Sequence, residues 1–146
     1  MVNNVEIARR IFDEIWNDRK PGAIDGLISP GYVHTDPNTP DLGEGREGYR
    51  KLVSIYTTAF PDLHFRIDEI VGDADTDTIA VRWTATGTHQ GDLMGIAPTN
   101  KRINVAGIVI NRFAHGKAVE STSIWDTYGL LRQLGVVPSL TKGKAA

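Results

Sequence analysis

The sequence predicts an α+β fold in which helices come first and pack on the concave face of a curved antiparallel sheet. Apolar residues recur at helical spacing before Pro61 and at a spacing of two beyond it. The links between the later apolar segments are short and rich in turn residues, which is typical of hairpins. The order of these two patterns therefore predicts helices followed by a sheet.

Two helices are predicted at the start of the chain. Residues 5–16 carry apolar side chains every three or four positions, and Asn3 with Glu6 suits the start of a helix. A shorter helix is predicted from Pro21, whose ring fits a first helical turn, until residues 30–31, a Pro-Gly pair, stop it.

A short strand at residues 32–35 leads into a polar loop at residues 36–45, which we expect to lie over a pocket mouth. Helical spacing returns over residues 49–60. Four strands then follow in succession, and their alternation predicts an antiparallel sheet. They lie at residues 63–68, 78–88, 101–113 and 118–126.

Size and charge narrow the function classes. The 146 residues suit one domain, expected over residues 1–138, with a frayed polar tail over residues 139–146. The net charge is -2 and no basic stripe is interleaved with aromatics, so we expect no nucleic-acid partner. No signal peptide or apolar span is found, so we expect no membrane partner. The absence of Cys excludes disulfides and fits a reducing, cytoplasmic compartment.

Asp126 is the first candidate for chemistry. Strand alternation places it on one face with Ile124, while Ser123 and Trp125 lie on the other. One interpretation is a pocket acid or base, because apolar surroundings raise the pKa of a carboxyl group and make it a useful proton acceptor. The other is the N-cap of the following helix, since Asp accepts hydrogen bonds from free amides there.

Other polar candidates lie on or next to predicted strands. His34 and Asp36 share a face if their strand continues, and His exchanges protons near neutral pH; the alternative is a strand-end hydrogen bond or a solvated pair. His89 either orients a substrate carbonyl or holds its loop. Asn111 would donate to a substrate oxygen if its face is inward, whereas an edge position is the alternative because Phe113 shares that face.

Two further functions, metal binding and ring binding, each have a simpler structural alternative. His34, Asp36 and His89 are ligand types for a divalent ion, but nothing in their spacing demands a site, so no metal is expected. Four aromatic residues suit either the core or a flat slot for a fused-ring ligand. These are Trp16, Tyr56, Phe60 and Trp83.

Several segments in a fixed order carry a family resemblance over nearly the whole chain. They are AFPDLH at 59–64, RWT at 82–84, GTHQG at 87–91, GIAPT at 95–99, residues 112–113 with 116–117, and Asp126 with GLLRQLG at 129–135. Together they resemble the SnoaL-like polyketide cyclases of the nuclear-transport-factor-like superfamily.

The resemblance implies a cone-shaped α+β barrel with a deep apolar pocket, in a homodimer or homotetramer. It implies a cofactor-independent enzyme of the lyase or isomerase type, which closes a ring in a small apolar or polyketide-derived substrate by an intramolecular aldol reaction. Asp126 lies at the position that resembles the family's acid or base, and His34 would assist it. The expected substrate-binding residues are His89, Asp36, Trp83, Asn111, Tyr56, Phe60 and Trp16.

Other functions occur on the same scaffold, so the fold alone does not choose among them. Epoxide hydrolysis and ketosteroid-type isomerisation are two enzymatic alternatives. Binding of an apolar metabolite without catalysis is the alternative from a different class.

Overall fold

The computed structural model describes residues 3–72 and 77–139 of the chain. Its helices are α1 (Asn4–Arg10), α2 (Ala23–Leu27), α3 (Gly45–Ala59) and α4 (Thr127–Leu134). Its strands are β1 (Ile28–Thr35), β2 (His64–Val71), β3 (Thr78–Thr88), β4 (Arg102–Ala114) and β5 (Lys117–Trp125). Residues 140–146 of the predicted tail and residues 73–75 of the predicted first hairpin link lie outside the described part.

The five strands form one sheet in the order β1-β5-β4-β3-β2. Strands β2 to β5 pair as antiparallel neighbours, and β1 pairs in parallel with β5. Along β4, buried and exposed residues alternate without a break, as expected for a strand with one face on the core. The predicted α+β fold is therefore confirmed.

The prediction for the second helix and the first strand is wrong in its boundaries. Helix α2 ends at Leu27, and Pro30 and Gly31 lie within β1 instead of stopping a helix. Strand β1 is at the sheet edge, and its pairing with β5 is irregular between Ile28 and Val33. Proline is tolerated there because an edge or bulge position does not require its missing N–H.

The first helix begins as predicted and then widens. The Asn3 Oδ1 accepts from the amides of Val5 (3.0 Å) and Glu6 (3.3 Å), which caps α1. Beyond α1 the chain continues as a π-helix over Ile11–Asn17. The buried residues of this segment face the core, and π-helical turns occur often at functional sites. They are Ile11, Phe12, Ile15 and Trp16.

Gly107 leaves room for two indole rings on the concave face. In the sheet register, Gly107 of β4 lies between Trp83 of β3 and Trp125 of β5. A Cβ at this position would overlap the side chains of both tryptophans. Glycine therefore allows the central strand to carry an aromatic ring on each side.

The outer face of the sheet is partly apolar. Ile108, Ile110 and Ile124 are 47%, 48% and 58% exposed. Among the described helices, none combines the length and the apolar character that crossing a membrane requires.

Candidate active site

A cavity of about 110 Å³ lies between the concave face of the sheet and the helices. Most of its wall is aromatic or aliphatic, which suits an apolar ligand. Its polar side chains are few and come mainly from β1 with its following loop and from β4 and β5. These polar lining residues include Tyr32, His34, Asp36, Tyr56, Asn111, Ser121 and Ser123.

Seven of the residues singled out in the sequence line this cavity. They are Trp16, His34, Asp36, Tyr56, Phe60, Trp83 and Asn111. The other two, His89 and Asp126, are not among its lining residues.

Asp36 directly follows β1, and its carboxylate is held by the surrounding loop and by β5. Its Oδ1 accepts from the Asn38 amide (2.8 Å), and its Oδ2 accepts from Thr39 Oγ1 (2.8 Å) and Trp125 Nε1 (3.0 Å). Burial alone would raise its pKa, but the nearby His34 ring and the hydrogen bonds from Asn38, Thr39 and Trp125 outweigh burial and hold the pKa at about 2. Asp36 is therefore an anion at neutral pH.

His34 lies on β1, two positions before Asp36, with one ring nitrogen bonded and the other without a partner. Its Nδ1 is 3.1 Å from the Tyr32 hydroxyl. Its Nε2 is 4.0 Å from Asp36 Oδ2 and is buried without a hydrogen-bond partner among the described residues. A buried nitrogen of this kind, next to a carboxylate in a mostly apolar cavity, is a candidate acid or base.

Further contacts surround Asp36 at the cavity wall. Tyr56 of α3 places its hydroxyl 2.8 Å from Thr39 Oγ1, and its ring centre is 5.9 Å from that of Trp125. Burial raises the pKa of Tyr56 to about 12, so its hydroxyl is protonated at neutral pH. A second recess of about 590 Å³, which includes residues 39–44, shares His34 and Asp36 with the first cavity.

Asn111 lies inside the sheet and contacts a hydroxyl of the neighbouring strand. It belongs to β4, which is flanked by β3 and β5, so the edge position considered from the sequence is wrong. The Ser121 hydroxyl donates to Asn111 Oδ1 over 2.6 Å, and both residues are buried. Because Oδ1 is already bonded to Ser121, the amide NH₂ is the Asn111 group available to a ligand.

Asp126 lies outside the cavity, at the start of α4. It is exposed, and its Oδ1 accepts from the Gly129 amide over 2.8 Å. A Cβ on Gly129 would overlap the Asp126 carboxylate, so glycine at this position leaves room for the capping side chain. Ile124, which shares a strand face with Asp126, is also exposed. The structure thus shows the helix cap that the sequence left open as an alternative.

His89 lies in the core and holds the loop that follows β3. It is fully buried, and its Nδ1 accepts from the Thr99 amide (3.1 Å) and lies 3.0 Å from Thr99 Oγ1. Its backbone amide donates to Lys101 O, and its ring centre is 5.4 Å from that of Phe60. These contacts match the loop-holding alternative for His89.

Sequence reasoning did not single out Tyr32, Ser121 and Trp125 as site residues. Tyr32 is two positions before His34 and therefore shares its strand face. Ser121 and Trp125 belong to the face of β5 opposite Ile124. Assigning Ile124 to solvent would have turned both residues toward the cavity and Asp126 away from it. Within the described ranges, no group of three residues is placed to hold a metal ion.

Two cyclases of Streptomyces are similar to this chain in sequence. The chain is 24% identical over 120 residues to a nogalonic acid methyl ester cyclase of Streptomyces nogalater, covering 82% of this chain and 89% of the relative. It is 26% identical over 137 residues to the aklanonic acid methyl ester cyclase AcmA of Streptomyces galilaeus, covering 92% of each.

Structural comparison gives the same family of folds. The crystal structure of AclR from Streptomyces galilaeus, for which a hydroxylase activity has been proposed, matches with a TM-score of 0.79 and 30% identity. The match covers 95% of this chain and 89% of AclR. Residues 6–134, which include the cavity and the capped α4, match the SnoaL-like polyketide cyclase profile. The chain therefore belongs to the SnoaL-like polyketide cyclase family.

Proposed function

We propose that this protein closes a ring in an apolar, polyketide-derived ester by an intramolecular aldol reaction, with His34 as acid and base and without a cofactor. The observation that carries the proposal is the buried His34 Nε2, which has no hydrogen-bond partner in the described part of the chain and lies 4.0 Å from the ionised Asp36 carboxylate. The names of the two curated relatives, both methyl ester cyclases, support an ester substrate.

The proposed reaction moves one proton out and back. His34 Nε2 takes a proton from the carbon activated by the neighbouring carbonyl groups, which leaves an enolate. The enolate carbon attacks a second carbonyl of the same molecule, forming the new C–C bond and an alkoxide. The imidazolium then returns the proton to the alkoxide, so the substrate and the product have the same atoms.

Asp36 and Asn111 have different proposed roles. Asp36 is already ionised, so it is a poor proton acceptor, and its charge instead stabilises the imidazolium that forms on His34. The Asn111 NH₂ is available to donate to the enolate oxygen, because Oδ1 accepts from Ser121.

The aromatic wall is proposed to hold the substrate rings. Trp16, Phe60 and Trp83 line the cavity; Trp16 comes from the π-helix, and Phe60 directly follows α3. Tyr56 adds a ring near Asp36, to which it is connected through Thr39. Offset or edge contacts with such rings favour a flat apolar substrate over a charged one.

The test is deuterium uptake at the acidic carbon of a panel of β-keto methyl esters, followed by mass spectrometry together with ring closure. We expect the wild type to accelerate uptake and His34→Gln to lose roughly 100- to 10,000-fold of that rate. Asp126→Asn is the control, because Asn keeps the helix cap and lies outside the cavity. A His34→Gln variant as fast as the wild type would contradict the proposal. Esters that bind without proton exchange would indicate a binding protein.

We also propose that two copies pair through the outer face of the sheet. The exposed Ile108, Ile110 and Ile124 form an apolar centre, since Ile108 pairs with Ile124 across β4 and β5. Arg112 and Glu120 lie beside this centre on neighbouring strands, 3.7 Å apart, and would form a charged rim around it. Ile110→Glu should give a monomer by light scattering, whereas Lys51→Glu on α3 should not. An Ile110→Glu protein of unchanged mass would exclude this surface.

We also propose that residues 1–138 form a single domain and that the protein works in the cytoplasm. The family match over residues 6–134 supports the first statement. The absence of Cys supports the second, because no step of folding then depends on an oxidising compartment.

A further inference from the structure

We propose that Ser123 and Asn111 form a binding subsite for one carbonyl oxygen of a neutral ketone or ester, with one hydrogen-bond donor from each of two neighbouring strands. The subsite lies on the sheet wall of the cavity, where β4 pairs with β5. The inference deepens the proposed function and rests on it for its role in the reaction. Its test measures ligand binding and therefore does not depend on the reaction.

The Ser123 hydroxyl differs from the other hydroxyl groups of the cavity wall. Each of the others takes part in a hydrogen bond, and they belong to Tyr32, Tyr49, Tyr56 and Ser121. Ser123 lines the same cavity and is only 8% exposed, yet its hydroxyl has no hydrogen-bond partner among the described residues.

An unbonded hydroxyl in a buried position indicates a place for a ligand, because most buried polar groups in folded proteins have a partner. Within the described ranges, the side-chain polar atoms that lack a partner and are also sealed from any probe are two histidine nitrogens, and the Ser123 Oγ is not one of them. Since Ser123 lines the cavity, its Oγ is reached from that space. A molecule in the cavity can therefore supply the missing partner.

Asn111 places a second donor close to the Ser123 hydroxyl. In the register of β4 and β5, Asn111 pairs with Ser121 and Val109 pairs with Ser123, so Asn111 and Ser123 are diagonal neighbours. Diagonal neighbours on one face of a sheet are about 7–8 Å apart, so one oxygen between their side chains can contact both. The Asn111 Oδ1 is bonded to Ser121, which leaves the NH₂ group for this oxygen.

The subsite lies beside the strand that carries His34. Strand β1 pairs in parallel with β5, and His34 is opposite Ser121. Ser123 is two positions further along the same face of β5, and neighbouring strands are about 4.7–4.9 Å apart. A carbonyl oxygen held by Ser123 and Asn111 therefore lies next to the proposed acid and base. Two donors at this oxygen would stabilise the negative charge of the enolate.

The charges of the cavity wall favour a neutral carbonyl over a carboxylate. The hydroxyl of Ser123 and the amide of Asn111 are uncharged donors, whereas Asp36 is an anion in the same wall. No Lys or Arg is found among the described residues that line the cavity. A carboxylate would lose its hydration and be repelled by Asp36 without a cation to pair with. The chemical class of ligand is therefore a ketone or an ester.

The test compares the binding of α-tetralone and tetralin, two ring compounds of similar size that differ in one carbonyl group. Binding is followed by tryptophan fluorescence, because the chain has three Trp residues and all of them line the cavity. The dissociation constants of both probes are measured for the wild type and for each variant. The ketone and the hydrocarbon then report separately on the hydrogen bonds and on the apolar wall.

Ser123→Ala removes the proposed donor at little cost to packing. We expect it to weaken binding of α-tetralone roughly 3- to 10-fold and to change binding of tetralin less than about 2-fold. Thr122→Ala is the matched control, because it removes a hydroxyl from the exposed face of the same strand and should leave both constants unchanged. Ser123→Ala should also unfold at the same temperature as the wild type or a higher one, since its hydroxyl bonds to no described residue.

The second donor is tested by Asn111→Ala combined with Ser121→Ala, so that no serine hydroxyl loses its acceptor. We expect this pair of changes to weaken α-tetralone binding more than tetralin binding, as in Ser123→Ala. Equal weakening of both probes would show that Asn111 acts through packing and would remove it from the subsite.

The results separate the subsite from the proposed function. Binding of α-tetralone that is unchanged in Ser123→Ala, or weakened equally with tetralin, would overturn the subsite, and so would a wild type that binds neither probe. A carbonyl-specific loss in Ser123→Ala, together with no proton exchange on any ester, would keep the subsite and remove the reaction. Exchange that depends on His34, with no carbonyl-specific loss, would keep the reaction and remove the subsite.

Discussion

At Asp36, neighbouring groups outweigh the effect of burial on the pKa of the carboxyl group. Removing a carboxylate from water raises its pKa, yet three hydrogen-bond donors and the nearby His34 ring hold that of Asp36 at about 2, below the usual 3.8. The residue is therefore suited to stabilise a positive charge and unsuited to accept a proton. This assigns proton transfer to His34 in the proposed reaction.

The lowered pKa of Asp36 has a consequence for acid stability. A carboxyl group with a folded pKa below its unfolded pKa stabilises the fold above about pH 4, and this contribution is lost as the pH falls toward 2. We expect the free energy of unfolding to fall over this window, and to fall less steeply in Asp36→Asn. Urea titrations at several pH values would show this, and parallel slopes for the two proteins would contradict it.

The role of Asp126 as a cap predicts a loss of stability with little loss of activity. Asp126→Ala removes the acceptor for the Gly129 amide and should cost about 1 kcal/mol of unfolding free energy. Asp126→Asn keeps a cap acceptor and should cost a few tenths of that amount. Denaturant unfolding measures both, and equal losses in the two variants would argue against the cap.

At the scale of elements, hydrophobic periodicity predicted both the kind of secondary structure and its bounds well where a segment has one buried face. Thr78–Thr88 of β3 and the strand at β4 were predicted within a residue of their observed bounds. The start of β1 was missed because Pro30 and Gly31 look like a helix stop, and only pairing with β5 makes them part of a strand.

The face assignment of β5 required information that lies outside the strand. Alternation correctly separated Ile124 and Asp126 from Ser123 and Trp125, but either face could have been the inner one. Ile124 indicated the wrong inner face, because an apolar residue usually lies in the core, whereas Ile124 is exposed. Packing of the helices on the other face decides it, and that packing is not encoded in one strand.

We expect added side-chain bulk to destabilise the fold much more on the inner face of β4, at Gly107, than on its outer face. Gly107→Val places a side chain where Trp83 and Trp125 meet, so we expect a loss of about 1–3 kcal/mol from overpacking. Ala106→Val adds similar bulk on the exposed face and should change stability by about 0.5 kcal/mol or less. Thermal unfolding of both proteins checks this, and a tolerated Gly107→Val would show that the tryptophans rearrange.

At the scale of the whole molecule, the fold brings together residues from distant parts of the chain. Strand β1 supplies His34, its following loop supplies Asp36, and β5 supplies Trp125, which bonds to Asp36 across 89 positions in sequence. The parallel pairing of β1 with β5 makes this contact possible. Strand alternation already placed His34 and Asp36 on one face, but the bond from Trp125 to Asp36 depends on the pairing of β1 with β5 and could not be predicted from either segment alone.

The most direct test of this account is the rate of deuterium uptake into a β-keto methyl ester by the wild type, His34→Gln and Asp126→Asn, measured side by side. We predict that His34→Gln loses roughly 100-fold or more of the enzyme-catalysed rate, while Asp126→Asn stays close to the wild type. The reverse pattern, in which Asp126→Asn is inactive and His34→Gln is active, would contradict it and return the acid or base to the start of α4.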